Sequence, residues 1–341
     1  MDIRYFLGAN SADGFHSHFD QLLPTPQRKL LRILKGGSGC GKSTLMKKVA
    51  AYGEQLGLSV ERILCSSDPD SLDGIAIPEI GYAIVDGTAP HVVEPKLCGC
   101  TETYLDLSPG YDTAGLRSIR PALSELRTRK LACFSDATAF LRAAASIAEL
   151  RRNDDGLNEK AAADICEKEL PNRGGYGSKR TVFFSGYTPL GKLDLDAAAV
   201  LCKKFYILSD TPTSAAFLRR IAETAVSRGW NCLIGDSPLL PGRRWEQLLI
   251  PELELGFLTD SVQISDSIPQ ITALTSHECN FKNENLQKEL IEQATLRLCQ
   301  AKEHHELLEQ LCLPFFDFSI ADRAALECCA ELDLQFSCQK Q

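Results

Sequence analysis

At 341 residues, 44% of them hydrophobic and 24% charged, the chain is too apolar for a disordered protein and has room for about two domains with separate cores. A formal net charge of -8 argues against nucleic acid as a partner, because binding a phosphate backbone calls for a broad basic surface. No run of about 18 apolar residues predicts a membrane span, the opening residues do not read as a signal peptide, and 14 scattered cysteines read as reduced thiols of a cytoplasmic protein.

The opening run Arg4-Tyr5-Phe6-Leu7-Gly8-Ala9 is strand-like, and Leu30-Leu31-Arg32-Ile33-Leu34 reads as a buried strand. Leu45 to Gly57 follows a helical pattern that closes on glycine. A turn at Ile77-Pro78-Glu79-Ile80-Gly81 leads to the strand Tyr82–Asp86. Helical tails are expected at Ala137–Leu150 and Asp164–Leu170.

The series then repeats. Val182-Phe183-Phe184-Ser185-Gly186-Tyr187 resembles the opening run, Lys204-Phe205-Tyr206-Ile207-Leu208 the first strand, and Phe217 to Gly229 the helix. Ile250-Pro251-Glu252-Leu253 matches the turn and Leu255 to Asp260 the next strand, with helices again at Leu286–Leu311 and Ile320–Leu332. The expected organisation is a first domain over 1–170 with its helical tail, a Gly-rich linker over 171–180, and a second domain over 181–341 with its own tail. Strand, turn, helix and strand in that order is βαβ logic. It predicts an α/β fold of two tandem units of similar plan with mostly parallel, helix-covered sheets.

Between the first strand and helix lies Gly36-Gly37-Ser38-Gly39-Cys40-Gly41-Lys42-Ser43-Thr44, which fits G-x-x-x-x-G-K-[ST]. Glycines reach backbone angles closed to other residues and let the chain curl against phosphate oxygens. The N–H groups of roughly Gly39 to Thr44, helped by the positive end of the following helix, converge on one anion. Lys42 is expected to reach the β- and γ-phosphates and the Ser43 hydroxyl to ligate Mg²⁺, making ATP and Mg²⁺ the expected cofactors. Cys40 reads as a small residue that fits the loop, although a thiol beside a helix N-terminus is also prone to oxidation.

The second copy reads Ser209-Asp210-Thr211-Pro212-Thr213-Ser214-Ala215-Ala216-Phe217 at the equivalent place, without lysine or glycine. That predicts a degenerate unit with no nucleotide. Asp86 ends its strand where a carboxylate would hold Mg²⁺, but Asp260 falls at the same place by sequence, leaving open a strand-end structural role. Glu79 and Glu252 pair off in the same way and read as structural. Asp68, Asp73 and His91, in segments peculiar to the first copy, are candidates for orienting water or a substrate hydroxyl; turn formation and a packed imidazole are the alternatives.

Asp112-Thr113-Ala114-Gly115 matches the D-x-x-G element of GTPases but follows no strand, and no N-K-x-D or L-S-G-G-Q segment occurs. Cys98-Gly99-Cys100 with His91, His16 and His18 lacks the paired knuckles of structural zinc. His304-His305 lies in a charged helical stretch and reads as a solvated face.

With these residues the chain resembles a little-characterised bacterial family of P-loop ATPase-like proteins built from two tandem nucleoside-triphosphatase units. The resemblance is carried by residues 36–46, the block from Cys65 to Gly74, Asp86-Gly87-Thr88-Ala89-Pro90-His91 and the stretch from Ala301 to Glu309. It implies ATP binding and hydrolysis and names no substrate or protein partner. Family members tend to keep a phosphate loop in both halves, and this chain has lost the second. Three functions follow as expectations: an ATPase, a small-molecule or nucleotide kinase, and an ATP-dependent sensor that binds a partner. For the first, Arg117, Arg120, Arg173, Arg219, Arg220, Arg243 or Arg244 would neutralise transition-state charge.

Overall fold

In the computed structural model, residues 3–24, 27–151, 157–263, 270–275 and 283–339 are described. In chain order the first half runs β1 (Ile3–Tyr5), β2 (Gly8–Ser11), β3 (Gly14–Ser17), β4 (Leu30–Lys35), α1 (Lys42–Gln55), β5 (Glu61–Cys65) and β6 (Asp68–Ile77). It continues with β7 (Tyr82–Asp86), β8 (Glu102–Asp106), α2 (Thr113–Ser118), α3 (Arg120–Ala148) and α4 (Glu159–Glu169). The second half runs β9 (Lys179–Val182), β10 (Ser185–Thr188), β11 (Gly191–Asp194), α5 (Ala197–Leu201), β12 (Lys204–Leu208), α6 (Pro212–Ser227) and β13 (Cys232–Asp236). β14 (Trp245–Ile250), β15 (Leu255–Thr259), β16 (Gln270–Ala273), α7 (Glu284–Cys312) and α8 (Ser319–Gln339) complete it.

Each half builds one six-stranded sheet, β1-β5-β6-β7-β4-β8 in the first and β9-β13-β14-β15-β12-β16 in the second, so the two orders correspond strand for strand. The sheets are mostly parallel, with β6 and β14 running against their neighbours. The cause is local. Only residues 66–67 join β5 to β6 and only 78–81 join β6 to β7, far too few for the crossover that parallel strands require. The turn before β7 uses Gly81 at φ 69°, and its counterpart Glu254 adopts φ 50°.

Two compact units result. One comprises residues 1–8, 17–136 and 296–341; the other comprises 9–16 and 137–295. This differs from the expected division into 1–170 and 181–341, because the helical tails are exchanged. The apolar stripe of α4, with Ile165 and Cys166, and Leu170 just after the helix join the core formed by Phe217, Leu218 and Ile221 of α6. Conversely α8 packs on α1 of the first unit. There Tyr82 Oη donates to Glu331 Oε2 at 3.1 Å, Arg32 Nε donates to the same carboxylate at 3.1 Å, and Leu332 lies against Gly53.

Among the described residues α3 alone is long and apolar enough to cross a membrane, with mean hydropathy 1.2 over its best stretch. Its buried residues Ala137, Leu141, Ala144, Ala145 and Ala148 recur at helical spacing on one face, the pattern of an amphipathic packing helix. No disulfide joins any described cysteine.

Leu332 is 0% exposed whereas Leu334, half a turn away, is 67% exposed. Leu332→Ala is expected to cost about 2–5 kcal/mol, and Leu334→Ala less than about 0.5 kcal/mol. Urea denaturation of the two variants checks this, and equal losses would contradict the docking of α8.

Candidate functional site

The loop at 36–41 leaves the end of β4 and opens α1. Gly39 and Gly41 sit at φ 74° and 83°, in the left-handed region that costs other residues energy. Crowding adds to this requirement. A Cβ on Gly36 would lie 2.6 Å from the Cys40 sulfur, and one on Gly37 would lie 2.8 Å from the Tyr111 hydroxyl. Cys40 is 1% exposed, packed beneath the loop, so it serves as a small buried filler and is poorly placed to be oxidised.

The Lys42 ammonium donates to the carbonyls of Gly36 at 2.9 Å and Gly37 at 2.8 Å, and stands 3.6 Å from Asp86 Oδ2. Asp86 is delivered by register: β4 and β7 run parallel, with Leu34 opposite Asp86. Its Oδ1 accepts from the Thr88 amide at 2.8 Å and hydroxyl at 2.6 Å, which turns Oδ2 to the lysine. Ser43 Oγ accepts from the Leu72 amide at 3.0 Å. Ser43 and Asp86 present the hard oxygen donors that Mg²⁺ takes.

The second unit corrects one comparison made by sequence. There Leu208 lies opposite Thr259, and the amide bonding Leu208 O is that of Asp260, as the Gly87 amide bonds Leu34 O. Asp86 therefore corresponds to Thr259, and Asp260 to Gly87. The unit without the lysine also lacks the carboxylate. Glu79 and Glu252 do correspond, each accepting at 3.1 Å from an amide shortly before an earlier strand, Ser59 before β5 and Asn231 before β13. They are turn braces. In place of a phosphate loop, Thr211 Oγ1 caps α6 by accepting from the Ser214 amide, and Asp210 pairs with Arg244 at 3.3 Å.

Behind the loop, Cys65, Asp73 and His91 converge within 4.8 Å of one another. His91 Nε2 lies 3.3 Å from Asp73 Oδ2, and Phe19 packs on the imidazole. Burial raises the Asp73 carboxyl to about 6, with Asp86 adding to the rise while His91, the Cys65 thiol and Lys42 counteract it. Counting back from the Ile-Pro turns places Asp73 level with Glu246, which is buried, is also raised by burial, and is met by Lys192 and by Ser185 at 2.5 Å. A buried acid with a basic partner thus belongs to the architecture of both sheets. The sequence comparison missed it because the surrounding residues differ. Cys65, Asp73 and His91 are donors of the type that hold a transition ion; as they stand, the Cys65 thiol bonds the Asp73 carboxyl and His91 lies at ion-pair distance from it. Cys98 and Cys100 are exposed and apart from it.

Asp68 is placed otherwise. Burial works against its ionisation, but hydrogen bonds from Lys302 at 2.7 Å and Ser71 at 2.6 Å hold its carboxyl below the usual range. An ion-paired carboxylate of lowered basicity is a poor general base. Asp112 is a helix cap, accepting from the Ala114 and Gly115 amides at 3.1 Å. Of the arginines considered, Arg173, Arg219, Arg243 and Arg244 are engaged within the second unit, and Arg117, Arg120 and Arg220 are exposed.

The part missed most clearly is the end of α7. Glu309 Oε1 accepts from the Gly39 amide at 3.2 Å, so a carboxylate sits on one of the N–H groups expected to hold phosphate. His305, expected on a solvated face, instead meets Lys130 of α3, with Nδ1 3.4 Å from Nζ. Phe318, just before α8, and Ala321 and Asp322 of α8 border a groove of about 230 Å³ against Gly41, Thr44, Leu45 and Lys48. The only sign of this in the sequence was the block from Ala301 to Glu309. Compared with family models, characterised proteins and solved structures, the chain matches none.

Asp73 binds its proton more tightly in the fold than in the unfolded chain, where its ordinary value is 3.8. Its contribution to stability is therefore full below about pH 4, falls between about pH 4 and 6, and stays low above that, a swing of about 3 kcal/mol. Unfolding free energies of wild type and Asp73→Asn at pH 4 and pH 7 measure the swing. Parallel profiles would contradict it.

Proposed function

We propose that the first unit is P-loop NTPase-like, binds a nucleoside triphosphate with Mg²⁺, ATP being the species favoured, and hydrolyses it. The observation that carries this reading is the pairing of a doubly left-handed glycine loop at the start of α1 with a lysine 3.6 Å from the carboxylate at the end of the neighbouring parallel strand. In this reading the loop N–H groups hold the phosphates, with the positive end of α1 behind them. Lys42 exchanges two backbone carbonyls for phosphate oxygens. Ser43 and Asp86 hold Mg²⁺, which when bound supplies charge neutralisation at the phosphoryl oxygens. The groove beside Thr44 and Phe318 offers an apolar seat for the base. The second unit, lacking lysine, carboxylate and glycines, has a structural or regulatory part.

The Glu309 contact favours a second reading, in which ATP is a signal. Anionic phosphate and an anionic side chain compete for one amide, so binding and the position of α7 are linked.

Lys42→Ala is expected to weaken MgATP binding by at least about tenfold, and Asp86→Asn to slow turnover by about a hundredfold. Isothermal titration and γ-phosphate release with labelled ATP measure these. Transfer of the label to a small molecule would replace the ATPase with a kinase, and binding without release would leave the sensor. Undiminished binding by Lys42→Ala would remove the site assignment altogether. In a separate titration Glu309→Ala should raise MgATP affinity about three- to tenfold, and no change would show that the carboxylate does not compete.

A further inference from the structure

Resting on that reading, we infer that Lys130 of α3, steadied by His305 of α7, is the ligand for the terminal phosphate of the bound triphosphate. The α7 residues facing the loop recur at helical spacing, and each has a different neighbour. Lys302 meets Asp68, His305 meets Lys130, and Glu309 meets the Gly39 amide. His305 Nε2 lies 3.7 Å from Glu309 Oε1, which links the imidazole to the carboxylate that sits on the loop.

Lys130 differs from the other lysines around the site. Lys35 bonds the Gly87 carbonyl at 2.8 Å, Lys47 the Asp70 carbonyl at 2.5 Å, Lys48 bonds Asp322 at 2.6 Å and Lys302 bonds Asp68 at 2.7 Å. The half-buried Lys130 ammonium has His305 as its hydrogen-bond neighbour and, among the described residues, no carboxylate within ion-pair distance. Removing an ammonium from water without a counter-ion is costly. Here burial lowers its affinity for the proton, and Arg127 and Lys42 lower it further, while Glu309 acts in the opposite sense. The charges of Lys130 and Lys42 both act on His305 as well.

Lys42 of α1 has Asp86 and Lys302 of α7 has Asp68 as counter-ion, so of these cations beside the loop it is Lys130 of α3 that, among the described residues, has no carboxylate at ion-pair distance. An incoming anion supplies the missing counter-charge, and the terminal phosphate is the part of a nucleotide that extends beyond the loop amides. A diphosphate falls short of it. The cation that sequence reading sought among arginines is then a lysine within the same unit.

The test uses the full chain and titrates wild type, Lys130→Ala and Lys130→Arg with MgATP and MgADP, with melting curves to show that each variant is folded. Lys130→Ala should weaken MgATP about tenfold and MgADP less than about twofold, while Lys130→Arg keeps most of the preference. Equal weakening of both nucleotides, or of neither, would overturn the inference while leaving the loop assignment intact. Inorganic phosphate binding alongside MgADP and lost in Lys130→Ala, with MgATP affinity unchanged, would also overturn it, by assigning the cation to a separate oxyanion. Should wild type bind neither nucleotide, both readings fall.

Discussion

The parallel pairing of β4 with β7 positions nearly everything described in the first unit. It sets Leu34 beside Asp86, so the loop leaving β4 and the carboxylate ending β7 emerge at one edge of the sheet. The loop must then turn back into α1 within a few residues, which the left-handed glycines allow. Lys42 is held in the resulting gap by two carbonyls and one carboxylate. A slip of one residue in this register would turn Asp86 to the other face and leave the lysine without its partner.

The second unit acts as a control built into the same chain. It keeps the strand order, the Ile-Pro turns, the glutamate braces at Glu79 and Glu252 and the buried acid at Asp73 and Glu246. It lacks counterparts of the left-handed glycines, the lysine and Asp86. What is shared is what a six-stranded sheet with short connections needs in order to fold. What is confined to the first unit is the left-handed glycine loop, Lys42 and the strand-end carboxylate Asp86.

Exchange of the helical tails brings groups from the end of the chain to the loop near its start. A sheet with one uncovered face needs an amphipathic helix against it, and either tail has the apolar stripe to serve. In the first unit the cover comes from residues 296–341, which sets Glu309 and His305 beside Gly39 and Lys130. The C-terminal helices thereby do more than bury apolar surface, since their polar residues border the loop.

Local chemistry made much of this legible in the sequence. The strands β4 and β7, the helix α1, the glycine loop and the internal duplication depend on residue type and short-range spacing, and so could be read directly. Sequence alone could not determine which half each tail would cover, because two stripes of similar pattern compete for similar sheets. Nor could it give the register that equates Asp86 with Thr259, since an offset of one residue is invisible until the strands pair. Lys130 and His305 lie 175 residues apart in the chain and belong to no motif. Their meeting was decided by tertiary packing, because only the closure of α7 over the loop brings two side chains so distant in sequence to one point.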